Sequence, residues 1–547
     1  MVDGIVSRPG DQTNEFEFIT PDDTDIKNGE FIYYNAEVDT GETETEQKKI
    51  FARVIGREQE RGFPDQFMSN PEVSPKTVAE KLGMNTQGVD IYKIKAKVIG
   101  YYNENLQDFT NPRIVPRQGT KIKLAENEDL EEYLTEADPD EGGSAHIGRL
   151  LYRPGDEASI ELPIDNFTST HMSILASTGS GKSYTASVII EEMMQPDSRA
   201  AVLIIDPHGE YGSLQEMEDQ ERFQDPEEGY SPEIQIMQPE DIKIRISELN
   251  LSDLYSITDD LSDAQEHLLQ EAWNDLQSSK GADFEYVSVN QIKEKCMELA
   301  ESEETSAAES TANALHWRLD KALDRSLFDS NQNLSLSELL EPGKCTVLQL
   351  DTMSLREQRM LVSVLFKKIN RARVRHEKGK QSELDFPVFG LLEEGHRFTP
   401  ADGEAQSLGP LSTILSEGRK FGIGIGIISQ RPSKIDDDVL SQCKTQIIMQ
   451  IQNPLDQDAV KKGVEDVGED LLSELPGLTP GQAIIAGDSV NTPFPVQIRE
   501  RYTTHGAESP PITDEWQKTW RENNDLQVEG AVDPDQDEGA ENRDELL

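Results

Sequence analysis

Hydrophobic positions follow two rhythms along this chain. Up to about residue 125, short runs of β-formers such as Phe31–Val38, Ile50–Ile55 and Ile91–Ile99 alternate or cluster, with polar and Gly/Pro turns between them. Their even spacing predicts a small barrel. From about residue 145 the rhythm changes. Apolar runs at Ser173–Ala176, Ala200–Ile205, Cys345–Leu350, Val388–Leu392, Ile423–Ile428 and Gln446–Ile451 alternate with helical patterns. This predicts α/β architecture, a mostly parallel sheet covered by helices on both faces.

Other stretches break these rhythms. Residues 252–330 carry helical patterns rich in Glu, Ala and Leu, and they predict a helical insertion in the α/β core. The acidic run Glu126–Glu141, followed by Gly142 and Gly143, predicts a linker or edge loop. After Arg501 the chain turns polar. Beyond the stretch around Trp516 and Trp520 it is expected to be disordered, since only Arg543 offsets ten acids from Glu522 onward. The expected organisation is a β-rich unit with an acidic linker over 1–145, a motor over 146–500 and an acidic tail over 501–547.

Composition adds one constraint. The chain has 105 Asp and Glu against 52 Lys and Arg, a formal net charge of −53 over 547 residues. Disorder alone does not account for this, because the acids also fill well-patterned segments. A dense carboxylate surface suits a high-salt host, where screening weakens self-repulsion. A nucleic-acid binder is still allowed, provided that it keeps a local basic surface. Cys296, Cys345 and Cys443 lack metal spacing and fit core packing in a reducing compartment. Neither a signal-like segment nor a membrane-length apolar run is present, and a cytoplasmic location is expected.

The strongest chemical signal is Ala176-Ser177-Thr178-Gly179-Ser180-Gly181-Lys182-Ser183, lying between an apolar strand and the helical segment Tyr184–Met194. Such a loop turns backbone N–H groups around phosphates, and the helix N-terminus adds its positive dipole. Ser177 through Tyr184 are therefore candidates for binding ATP. Lys182 would reach the β- and γ-phosphates, and Ser183 would ligate Mg²⁺.

Two strand ends offer acids, Asp206 with Glu210 and the pair Glu393-Glu394. Ligands bind at such carboxyl ends in open α/β sheets. Glu393 would support Mg²⁺, Glu394 would polarise the attacking water, and Asp206 and Glu210 would stand beside the nucleotide. The bland alternative for each is a helix or turn cap. Gln430, after the strand Ile423–Ile428, is a candidate γ-phosphate sensor. Arg419 is a candidate finger on a neighbouring subunit's nucleotide. Gly422, Gly424 and Gly426 lie within an apolar strand and read as close packing rather than a dinucleotide site.

In order and combination, these segments resemble the HerA branch of the HerA–FtsK superfamily. The carriers are His171–Ser183, Ile205–Tyr211, Leu392–Phe398, Glu417–Phe421 and Ser429–Ser433, within roughly residues 147 to 500. The resemblance implies a RecA-like P-loop ATPase core preceded by a small barrel. It also implies a homo-hexameric ring, ATP hydrolysis between subunits, translocation of double-stranded DNA and partnership with a NurA-type nuclease in end resection. Two positions depart from it. Glu393 stands where the family often has Asp, and Thr170 where members have Arg before the motif's His. If that Arg acts in trans, Arg149 or Arg419 must replace it. The competing readings are a conjugation- or packaging-type DNA pump and a nucleotide-dependent regulatory ATPase without translocation. The basic run Lys367–Lys380 and the loop Phe398–Gly409 are the candidate DNA contacts.

Overall fold

The computed structural model describes residues 4–10, 13–21, 26–39, 45–60, 91–103, 108–135, 143–153, 158–258, 261–301, 309–323, 327–329, 332–403, 405–464, 467–504 and 512–523. Residues through Thr504 form one compact unit.

The amino-terminal strands are β1 (Gly4–Pro9), β2 (Glu15–Pro21), β3 (Phe31–Asp39), β4 (Thr45–Glu60), β5 (Ile91–Asn103), β6 (Asp108–Thr110) and β7 (Lys121–Leu124). They order as β2-β1-β7-β3-β4-β5-β6, and β2 also pairs with β5. That extra pairing closes a six-stranded antiparallel barrel and removes its edges. Strand periodicity sorts the side chains. Ile32 and Tyr34 of β3 fill the barrel with Phe16, Phe18 and Ile94. Their neighbours Phe31 and Tyr33 face outward and join a core shared with Ile147, Ile174 and Phe494. Buried ion pairs fix the same junction: Arg153 to Glu30 at 2.8 Å, and Arg53 to Asp470.

The larger sheet contains β8 (Ser144–Leu150), β9 (Ser159–Pro163), β10 (Met172–Leu175), β11 (Val202–Asp206) and β12 (Glu233–Met237). A small parallel pair, β13 (Ile244–Arg245) and β14 (Phe328–Asp329), flanks the insertion. The sheet continues with β15 (Lys344–Gln349), β16 (Val388–Leu392), β17 (Ile423–Ser429), β18 (Thr445–Ile448), β19 (Gln482–Gly487) and β20 (Phe494–Ile498). Its order is β12-β15-β11-β16-β17-β10-β18-β19-β20-β8-β9. The strands from β12 to β18 run parallel, and the remainder pair antiparallel. Strands β10, β11, β16 and β17 are buried throughout, which is why they read as unbroken apolar runs. A Cβ on Gly424 would collide with the Thr168 carbonyl, and one on Gly426 with Leu391. Close packing therefore accounts for that glycine pattern.

Helices Leu251–Ile257, Asp263–Lys280, Val289–Glu301 and Glu309–Leu323 occupy the stretch between β13 and β14. Their apolar faces merge with the core beneath the sheet. Part of the stretch expected to be a linker is instead a helix, Asn127–Leu134, because Leu130 and Leu134 are four apart and both are buried. Residues 136–142 and 505–511 lie outside the described residues, as do 524–547, the stretch expected to be disordered. The unit beyond Thr504 contains the helix Ile512–Asn523, whose Ile512, Trp516 and Trp520 share one face. The three cysteines are buried, and burial pushes their thiols up to about 12. No helix among the described residues is long and apolar enough to cross a membrane.

Candidate nucleotide site

The sheet order assembles the site. Strand β17 lies between β10 and β16, so the loop after β10, the acids after β16 and Gln430 after β17 meet at one edge. The Ala176 N–H donates to the Ser429 carbonyl at 3.1 Å, and the Ser177 N–H to the Gln450 carbonyl at 2.7 Å. The loop is thus tied to both flanking segments. Gly179 and Gly181 have φ of +80° and +102°, which side-chain-bearing residues rarely adopt. These turns deliver the chain into the helix Lys182–Met193, whose first N–H groups have no intrahelical acceptor and suit an anion.

Lys182 is buried among three carboxylates. Its ammonium pairs with Glu393 and lies 3.5 Å from Glu210 and 3.7 Å from Glu394. Burial opposes its charge, but the carboxylates together prevail and hold its pKa above the usual lysine value. Burial pushes the Glu393 carboxyl up to about 7, even though Lys182 and Tyr211 favour its ionised form.

Asp206 organises the segment that follows β11. It is fully buried and accepts backbone N–H bonds from His208, Gly209 and Tyr211 at 3.1, 2.8 and 3.3 Å. These bonds fold the segment after β11 onto the loop. Glu210 then accepts the Ser183 hydroxyl, and the Tyr211 hydroxyl donates to Glu393 at 2.6 Å. Tyr211 is fully buried, and sequence reasoning gave it no role although it closes a motif already singled out.

Glu394 has a φ of +52°, a strained setting for a residue with a side chain, and such strain concentrates at functional sites. Gln430 holds it by donating from Nε2 to one carboxylate oxygen. The Thr178 hydroxyl donates to Gln430 Oε1 at 2.5 Å, so the loop reaches Glu394 through one amide. His396 Nδ1 lies 3.2 Å from the other Glu394 oxygen and 3.1 Å from the Ser429 hydroxyl. Burial keeps His396 below the usual histidine pKa, opposed by Glu394 and reinforced by Arg431 and Arg397.

The oxygens of Ser183, Glu210 and Glu393 converge around Lys182. This hard donor set fits Mg²⁺, which takes few protein ligands and completes its shell with phosphate and water. Among the described residues, no cluster of three or more His, Cys, Asp or Glu would hold a metal unaided.

Three candidates lie elsewhere. Tyr184 accepts the Arg501 N–H at 2.7 Å and so faces the returning carboxyl-terminal segment. Arg419 is exposed in the turn Gly418–Phe421, before the amino end of β17, whereas Gln430 follows its carboxyl end. The seven-residue strand separates them by roughly 20 Å. Arg149 is committed to the Arg153 carbonyl at 2.7 Å. In the loop after β16, Phe398 is fully buried, while residues 401–403 are exposed.

The family model for the helicase HerA central domain matches residues 145–369. The DNA double-strand break repair helicase HerA of Pyrococcus furiosus is 30% identical over 494 residues, covering 81% of this chain and 84% of the relative. The protein of that name from Saccharolobus solfataricus is 27% identical, covering 84% and 87%. Among solved structures, VirB4 of Thermoanaerobacter pseudethanolicus aligns with a TM-score of 0.48 at 15% identity, over 67% of this chain and 99% of that one. With its P loop, its facing acids and 30% identity to a HerA helicase over 81% of its length, the chain belongs to the HerA helicase family and is a P-loop ATP hydrolase.

Proposed function

We propose that this protein is an ATP-driven translocase of double-stranded DNA, working as a homo-hexameric ring with a NurA-type nuclease in DNA end resection and repair. The observation that carries the catalytic half is the convergence of Lys182, Glu393, Glu394 and Gln430 at one sheet edge. The names and coverage of the relatives support the DNA half.

In this reading the N–H groups from Ser177 to Ser183 cradle the phosphates of ATP, and Lys182 neutralises the β- and γ-oxygens. Ser183 and Glu393 would hold Mg²⁺, which would offset charge on the phosphate oxygens. Glu394 accepts a proton from the attacking water, the task its position beside Lys182 and Gln430 allows. Gln430 reports the γ-phosphate to Glu394, because Thr178 already connects it to the loop. Asp206 and Tyr211 position Glu210 and Glu393. Arg419 is too far from its own P loop to serve it, so its role is on a neighbouring subunit.

Particle images of the protein with a non-hydrolysable ATP analogue and duplex DNA test the assembly. Closed six-membered rings with density for a threaded duplex are expected. Monodisperse single chains with nucleotide bound and DNA excluded would sink the translocase reading.

A further inference from the structure

The carboxyl-terminal half of the helix Leu355–Glu377 borders a cleft of about 570 Å³, walled on its other side by Arg245, Glu248 and Glu285 at the base of the helical insertion. The helix follows the carboxyl end of β15 and returns to the amino end of β16, so the cleft opens at the sheet edge opposite the P loop. The basic run beside it divides by structural role. Lys367 pairs with Asp253 at 3.0 Å. Arg373 is buried and donates to the Phe421 carbonyl at 2.7 Å. Lys368 reaches the Leu334 carbonyl at 3.2 Å and Glu248 at 3.7 Å. Arg371 and Arg375, one turn apart, are exposed into the cleft, and neither makes an ion pair with any described residue.

What sets the cleft apart is its local charge. Across the chain acids outnumber bases 105 to 52. In the cleft, two of the carboxylates are already engaged, Glu248 by Lys368 and Asn333, and Glu285 by Arg245. The lining carries Arg245, Lys368, Arg371 and Arg375 against Glu248, Glu285 and Glu383, one net positive charge on a protein of net −53. Two adjacent guanidiniums left open in such a setting suit a ligand that brings its own anionic oxygens, and guanidinium forks match phosphate geometry.

We infer that this cleft is a phosphate-backbone contact for duplex DNA, with Arg371 and Arg375 as the binding residues and Lys368 and Arg245 as the surrounding positive field. It rests on the DNA reading above and adds a contact surface at the far edge of the sheet from the ATP site.

The test is fluorescence-anisotropy titration of a labelled linear duplex over a KCl series, for wild type, Arg371→Gln/Arg375→Gln and Arg371→Lys/Arg375→Lys, each verified as folded by its melting curve. The Gln variant should bind more weakly, and its slope of log K against log[salt] should be shallower by roughly one unit per arginine. The Lys variant should keep most of the wild-type slope. Wild-type slope and affinity in the Gln variant would overturn the cleft assignment while leaving the DNA reading intact. Failure of wild type to bind duplex at any salt would remove both. Inorganic pyrophosphate titrated in parallel separates the remaining case. If the Gln variant lost pyrophosphate binding alone, with duplex binding untouched, the cleft would belong to a small phosphate compound and the DNA assignment would fall.

Discussion

Lys182 and Glu393 form a buried ion pair that joins the P loop to the carboxyl end of β16. Without a partner, a buried carboxylate is costly, and burial already drives Glu393 toward its protonated form. Lys182→Ala should therefore fold, with Glu393 neutralised, and lose the cation proposed to meet the γ-phosphate. Single-turnover hydrolysis should fall by at least about 100-fold, the scale for removing one preorganised electrostatic donor. Wild-type turnover in the folded variant would take the P loop out of the mechanism.

Tyr211 predicts a pH signature. Burial pushes Glu393 up to about 7, and the role proposed for it with Mg²⁺ requires the ionised form, so kcat/KM should drop as pH falls through that value. The Tyr211 hydroxyl favours the ionised form. Tyr211→Phe should move the acid limb to higher pH and cost about 1 kcal/mol of stability. Superimposable pH profiles for the two proteins would show that Tyr211 does not tune Glu393.

His171 predicts a contribution to acid stability. Its Nδ1 accepts the Ile425 N–H at 3.1 Å, and burial drops its pKa to about 4 against 6.5 unfolded. Between those values the unfolded state binds the extra proton, so this stabilisation is complete above pH 6.5 and is lost as pH falls toward 4. The 2.5-unit difference corresponds to about 3 kcal/mol. In chemical denaturation at fixed high salt, the stability gap between wild type and His171→Gln should narrow over that window. A constant gap would exclude His171 as the titrating group.

The distance of Arg419 from its own P loop makes a subunit-mixing prediction. Arg419→Ala should bind ATP but hydrolyse it slowly. Mixed with Lys182→Ala, it should regain activity, because some interfaces then pair an intact Lys182 with an intact Arg419. Wild-type mixtures with each variant measure how far hydrolysis depends on an unbroken ring. If subunits exchange, wild type tolerates mixing and the two variants never complement, Arg419 does not act in trans.

Legibility in the sequence followed physical locality. Parallel strands buried on both faces must be apolar runs, so β10, β11, β16 and β17 could be found within a residue or two. The P loop could be read because its strand, glycines and helix are contiguous. The Asn127–Leu134 helix was hidden because two leucines among eight mostly polar residues resemble a linker until a neighbouring core receives them. Long-range pairings were not legible either. Tyr211 meets Glu393 across 182 positions and Thr178 meets Gln430 across 252, and only the strand order brings them together. Asp206 was expected beside the nucleotide as an acid at a strand end. Its three backbone donors, which also make it the organiser of the segment that carries Glu210 and Tyr211, could not be read from the sequence.

The most direct measurement of the central claim is displacement of a triplex-forming strand from a linear duplex, run with ATP hydrolysis followed in the same reaction. Wild type should release the third strand only with ATP and Mg²⁺. Glu394→Gln should bind ATP and duplex yet release almost none, since its amide keeps the size of the carboxylate and loses the basicity, a loss on the order of 10²–10⁴ in hydrolysis. Vigorous ATP turnover by wild type on duplex DNA, with the third strand left in place, would contradict the account.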